Sequence, residues 1–216
     1  MITMYDAIYV ANLEPPPPHA QAYAGYVDGR WPDYFAIKAA YPRAHLLSIA
    51  VFPSDDAEAL DIENGDATPA QAPAWVKRQH ARGVKRPVCY ASADAMIQVW
   101  ANLQAAGIAR TGVRLWSAHY GAGEHICGGG TCGYKNGDGH MVPPCDGTQW
   151  DDGAKYDTSI LLDSFFEEAT MYDTPPAPPG KWPHGAVLTG QWPDGAAWVT
   201  VWDAAAGKWS EPVKAA

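Results

Sequence analysis

Asp61 and Glu63 stand two residues apart at the end of an apolar run, in the stretch Ala59-Leu60-Asp61-Ile62-Glu63-Asn64-Gly65. Side chains at i and i+2 of a strand share a face. The two acids therefore point one way, while Leu60 and Ile62 point the other way into apolar packing. A carboxyl group in a partly apolar mouth has its pKa raised and can stay protonated as a general acid. A second carboxylate beside it raises that pKa further and can stabilise developing positive charge. Cleavage of a glycosidic bond needs such a pair. The spacing leaves the stereochemistry open. Same-face Cα atoms are ~6.6 Å apart, and rotamers can carry the carboxyls to either the retaining (~5–5.5 Å) or the inverting (~6.5–9.5 Å) separation. Attack by a substrate's own acetamido oxygen, with Asp61 orienting it, is a third route.

Aromatic and hydrogen-bonding side chains recur at other strand ends. Tyr90 and Ser92 share a face, as do Trp116, Ala118 and Tyr120, and Gln149 shares one with Asp151. Facing a mouth, they would wall a cleft whose rings stack on the apolar face of a pyranose. The competing role for Trp116 and Trp150 is packing beneath helices. The chain has ten Trp and eleven Tyr in 216 residues, enough to serve core and cleft together.

The elements that must position these residues follow from periodicity and punctuation. Strands are predicted over residues 5–13, 22–28, 45–52, 59–63, 86–92, 113–120, 148–152 and 156–162. Pro32-Asp33 opens a helix that Pro42 stops, a capping-box pattern at Thr68 to Gln71 or Pro73 itself opens a second, and 94–106 is an amphipathic third. Strand and helix alternate for about five units, and the late strands leave little room for helices. Alternation argues for a parallel sheet, and eight strands argue for closure. The expected fold class is α/β, a compact TIM-like (β/α) barrel with helix-poor last strands over residues 1–170. A Pro-rich linker (171–180) and a small Trp-rich β appendage (181–216) follow. Thirty-six residues are thin for an independent domain, so the appendage is expected to pack on the barrel or to pair with another chain.

Five short motifs in fixed order carry a resemblance: DIE (61–63), PVCYAS (87–92), LWSAHY (115–120), GTQW (147–150) and YDTS (156–159). Over roughly residues 5–168 the chain resembles glycoside hydrolase family 25, the lysozyme-type muramidases of bacteria and phages, and is closer still to the glycoside-hydrolase-like barrels of actinobacteria and their phages. The resemblance implies a flattened barrel that cleaves the peptidoglycan glycan between N-acetylmuramic acid and N-acetylglucosamine. It implies Glu63 as general acid and Asp61 as assisting carboxylate, with Tyr90, Trp116, Tyr120 and Gln149 lining the cleft and Asp157 as the late acid. The family's first-strand acid lies in a Gly-x-Asp-x-Ser pattern. That pattern falls here on residues 8–12 (IYVAN), which contain no acid; Asp6 reads as too early, and Asn12 or Asp28 is the substitute.

Other classes are excluded or disfavoured. A net charge of −9 argues against a nucleic-acid partner and gives no attraction to an anionic cell surface. No apolar run approaches the ~20 residues of a membrane span. Residues 1–6 lack the basic and apolar regions of a signal peptide, so the expectation is cytoplasmic synthesis, with incorporation into a phage virion or release by a non-signal route. The run Gly128-Gly129-Gly130 does not join a strand to a helix, so it is not a phosphate-binding loop, and no cofactor is expected. The same loop holds His125, Cys127, Cys132, His140 and Cys145. Their irregular spacing argues against zinc, and a Cys127–Cys132 disulfide pinning a loop beside the cleft is expected instead, with no metal. Two functional readings result. One is a glycosidase acting on peptidoglycan or a related aminosugar polymer. The other is a non-catalytic phage structural or glycan-binding protein, able to meet virion proteins or a second copy through its appendage.

Overall fold

The computed structural model describes residues 1–128 and 132–167, together with strand segments between 187 and 214. The chain forms two compact units, residues 1–171 and 172–216. The first is a closed eight-stranded barrel: β1 (Ile2–Asp6), β2 (Ala22–Tyr26), β3 (His45–Ala50), β4 (Ala59–Asp61), β5 (Val88–Ser92), β6 (Arg114–Ala118), β7 (Gly147–Asp152) and β8 (Asp157–Leu161), neighbours in that order. Three α-helices accompany it among the described residues, α1 (Tyr34–Ala40), α2 (Ala72–Ala81) and α3 (Ala93–Ala105). The result is an α/β barrel that is poor in helices. None of its described helices is long and apolar enough to cross a membrane.

Local chemistry explains where the helices begin. Asp33 precedes α1 and its Oδ1 accepts the Tyr26 amide at 2.9 Å, tying the helix start to the end of β2. Before α2, Gln71 Oε1 accepts from both the amide and the hydroxyl of Thr68, and Pro73 falls in the first turn, where its missing N–H costs nothing. Ser92 ends β5 and caps α3 by accepting the Ala95 amide at 3.2 Å.

Strand alternation sorts side chains into a core inside the barrel and two outside it, the smaller of them Tyr5, Leu13, Tyr23 and Ile37. Met4, Ala24, Ile49, Ala59, Val88, Tyr90, Trp116 and Leu161 fill the barrel. Leu60, Ile62, Cys89 and Leu115 point outward against Trp75 and Val76 of α2 and Met96, Val99 and Leu103 of α3. Burying each of the large apolar side chains is worth roughly 1.5–3 kcal/mol. Leu60 and Ile62 thereby hold Asp61 on the inner face.

Two expectations are corrected. The first strand is not residues 5–13 but Ile2–Asp6, followed by a single 3-10 turn over Val10–Leu13. Tyr9 and Ile8, read as strand, are exposed loop residues. The sheet is also not all parallel. Strands β1 to β7 run parallel, whereas β8 is antiparallel to both β7 and β1. The cause is the connection: residues 153–156 make a tight turn, and a parallel partner would require a crossover of a dozen residues or more. Gly153 is required there, since a Cβ would lie 2.6 Å from the Tyr156 carbonyl oxygen.

In the second unit, β9 (Val187–Gln191), β11 (Lys208–Trp209) and β12 (Val213–Lys214) each pair antiparallel with β10 (Ala197–Asp203). The Pro-rich stretch 171–180 and the turn at 193–195 lie outside the described residues.

Candidate active site at the barrel mouth

The strand directions decide which acids meet. Asp6 ends β1 and Asp61 ends β4, both at the C-terminal end of the parallel strands. Because β8 is reversed, its first residue, Asp157, lies at that same end, directly paired with Asp6. Glu63 follows β4 after one residue. Four carboxyl groups thus gather at one mouth.

Asp6 is the residue whose position the sequence concealed. With β1 read too late, it fell outside the expected site, and residues 8–12 seemed to leave the first strand without an acid. In the structure Asp6 is 5% exposed and its Oδ1 accepts from Gln149 Nε2 at 3.0 Å. Neither substitute takes this position. Asn12 sits in the 3-10 turn, and Asp28 uses its carboxylate to accept the amides of Val51 (2.7 Å) and Phe52 (3.3 Å), shaping the loop after β3.

Gln149 is a hub. Its Oε1 accepts the Tyr90 hydroxyl at 2.5 Å and also that of Tyr120, while its amide holds Asp6. Trp116 does not line the cleft as expected. It is 1% exposed, packs its ring against Tyr90 at 4.4 Å between centroids, and donates its indole N–H to Ser159 at 3.0 Å. An inward aromatic in the middle of a strand fills the barrel below the mouth rather than walling the opening.

Among the described residues no ion pair joins Asp6, Asp61, Glu63 or Asp157 to a basic side chain. Burial pushes Asp61 up to about 8, and the neighbouring carboxyls of Glu63 and Asp66 add to the effect. Tyr26 donates its hydroxyl to Asp61 Oδ2 at 3.3 Å, and Oδ1 has no hydrogen-bond partner among the described residues. Glu63 is exposed, and its pKa is raised by partial desolvation and then by Asp66. Burial also raises Asp157 to about 6, helped by Asp152, Asp151 and Glu63. Asp6 is pushed well up by burial and then by Asp157, with the Gln149 hydrogen bond opposing.

Asp61 and Glu63 open onto a cavity of about 420 Å³ that Asp28, Tyr26, Trp31, Phe52 and Ile8 also line. Trp31 is braced by Arg30, 4.8 Å over its ring, and by Tyr9 at 5.2 Å. Phe52, Tyr9 and Tyr120 are 48%, 48% and 41% exposed, so several of the large exposed aromatics of the barrel border its mouth. Tyr26, Trp31 and Phe52 are site residues that sequence reasoning missed. The available signal was their place, at or just after the ends of β2 and β3.

The expected disulfide is absent: Cys127 and Cys132 are free thiols with sulfurs 3.6 Å apart, far beyond the ~2.05 Å of a bond. They lie instead in a cluster with His119 and His125. Comparison of the chain with protein-family models, with curated proteins and with solved structures finds no match.

Proposed function

We propose that the protein is a glycosidase acting on peptidoglycan or a related aminosugar polymer, with Glu63 as the general acid and Asp61 as its partner. The observation that carries this reading is the gathering of Asp6, Asp61, Glu63 and Asp157 at one barrel mouth, with upward-shifted carboxyls beside an aromatic-rimmed cavity. The resemblance to family 25 muramidases, and with it the flattened TIM-like barrel, belongs to the same proposal, and Asp6 supplies the first-strand acid that the motif comparison lacked.

Asp61 holds the pair's proton near neutral pH, its pKa raised to about 8 by burial and then by Glu63. Glu63 is the member that reaches solvent, so it relays that proton from Asp61 to the glycosidic oxygen. Asp61, then a carboxylate, faces the positive charge that develops on the sugar ring. Its unpartnered oxygen suits the N–H of an acetamido group. Glu63, deprotonated, next activates the water that completes hydrolysis. Trp31 and Phe52 offer ring faces for neighbouring sugars.

The test is release of reducing ends from purified peptidoglycan. The wild-type protein is expected to release them, and Glu63→Gln to do so about 10²–10⁴-fold more slowly. Equal rates for the two proteins would refute the assignment. A glycan-binding protein without turnover is the second reading, favoured by the closed Asp6–Gln149–Tyr90–Tyr120 network; it predicts retention on the wall material with no new reducing ends.

A further inference from the structure

We infer that His119, His125, Cys127 and Cys132 form a structural Zn²⁺ site that staples the long loop between β6 and β7 beside the barrel mouth. The four ligand atoms all lie within 4.8 Å of one another. His119 Nδ1 is 3.0 Å from His125 Nε2 and 3.4 Å from Cys127 Sγ. Cys127 Sγ is 3.3 Å from His125 Nε2 and 3.6 Å from Cys132 Sγ. A tetrahedron built with Zn–S of about 2.3 Å and Zn–N of about 2.05 Å has edges of roughly 3.4 Å (N–N), 3.5 Å (N–S) and 3.8 Å (S–S). These four separations follow that order and come close to those lengths, and Cys132 Sγ lies within 4.8 Å of both histidine nitrogens.

The hydrogen bonds around the cluster prepare it for a cation. His125 Nδ1 lies 2.6 Å from the Gly123 carbonyl oxygen, which can only accept. The proton therefore sits on Nδ1, and Nε2 turns a lone pair toward the two sulfurs and His119. A backbone carbonyl that fixes the tautomer of a ligating histidine is a recurrent support of metal sites. The first and third ligands are anchored to β7. The His119 amide donates to the Gln149 carbonyl at 2.9 Å, and the Cys127 amide donates to Thr148 Oγ1 at 2.8 Å. The Cys145 amide in turn holds the Cys127 carbonyl at 2.9 Å. The tight path after Cys127 uses Gly128 at φ +96°, where a Cβ would fall 2.2 Å from the Pro143 carbonyl oxygen.

Two nitrogens and two sulfurs in tetrahedral array select Zn²⁺ among the common divalent ions. Four protein ligands leave no open position, which marks the site as structural rather than catalytic. Binding converts two thiols to thiolates, releases two protons and gives a complex of zero net charge. Its consequence for the mouth runs through one peptide bond: His119 is followed by Tyr120, whose hydroxyl donates to Gln149. His140 and Cys145, also in this loop, are not part of the quartet.

The experiment is metal analysis of the full chain purified under reducing conditions, followed by Co²⁺ replacement of the metal in the wild-type protein. Close to one equivalent of Zn²⁺ per chain is expected, and Co²⁺ should give intense tetrahedral d–d bands with thiolate charge transfer. Cys132→Ser should lose most of the zinc and those charge-transfer bands, while His140→Ala should keep both. Chelation should lower the Tm by roughly 5–10 °C. The wild-type Co²⁺ spectrum decides the matter even if a cysteine variant does not fold. Zinc below about 0.1 equivalents together with octahedral Co²⁺ bands would overturn the site, as would a Cys127–Cys132 disulfide in the reduced preparation.

Discussion

The barrel treats its buried carboxyls in two opposite ways. Asp146, just before β7, is 5% exposed and fully answered: Arg86 donates to one oxygen at 2.8 Å, Arg110 to the other at 2.7 Å, and the Leu115 amide adds a third bond at 2.8 Å. Asp61, at the mouth, is 3% exposed and meets a single tyrosine hydroxyl among the described residues; burial raises its pKa, and the charges that raise it further are other acids. Burial is nearly equal, so burial alone does not distinguish them. What differs is the supply of positive charge. An acid given two guanidinium groups holds the chain together. An acid denied them keeps a proton within the range where catalysis operates, at a cost to stability.

The largest effect that separates the two kinds of acid is on activity. Glu63→Gln should reduce turnover about 10²–10⁴-fold while leaving unfolding free energy within about 0.5 kcal/mol of wild type, as measured by denaturant titration, because the side chain is exposed. Asp146→Ala should behave in the reverse manner. It should cost about 3 kcal/mol in the same titration by stranding two arginines and an amide, with turnover per folded molecule unchanged.

Asp61→Asn addresses the cost directly. Between pH 4 and 8 the unfolded Asp61 is ionised and the folded one keeps its proton, given a folded pKa of about 8. The folded state then binds more protons, so stability falls as pH rises across this window and levels off above it. The asparagine variant should lack that slope and should be more stable than wild type at pH 8 by about 2–4 kcal/mol. A steeper slope in the variant would break the contrast with Asp146. The smallest effect belongs to the rim. Trp31→Ala should raise KM about five-fold with little change in kcat, reflecting roughly 1 kcal/mol of ring stacking.

Much of this arrangement was legible in the sequence, and the failures have physical causes. Helices α1 to α3 announced themselves through Pro and Gly punctuation and apolar spacing, and the DIE stretch gave Asp61 its inward face through Leu60 and Ile62. Strand β1 was misplaced because YDAIYVANL is apolar apart from Asp6 and Asn12, and no periodicity separates a strand end from a 3-10 turn in such a run. That one shift hid Asp6. The reversal of β8 was also invisible to strand–helix alternation, although the short turn with Gly153 was its signal. Trp116 shows a further limit, because an inward aromatic reads the same whether it lies at the mouth or beneath it. The His and Cys quartet was legible only in part: His125, Cys127 and Cys132 share one loop at irregular spacing, which argued against zinc, and His119, which follows β6, does not read with them.

The central claim is that the mouth keeps a protonated carboxyl, Asp61, where the base of the barrel pairs its carboxyl, Asp146, with two arginines. It is tested most directly by following the side-chain carboxyl ¹³C resonance of Asp61 through a pH titration, assigned by its loss in Asp61→Asn. A midpoint near pH 8 is predicted. A midpoint near the ordinary aspartate value of about 4 would contradict the account.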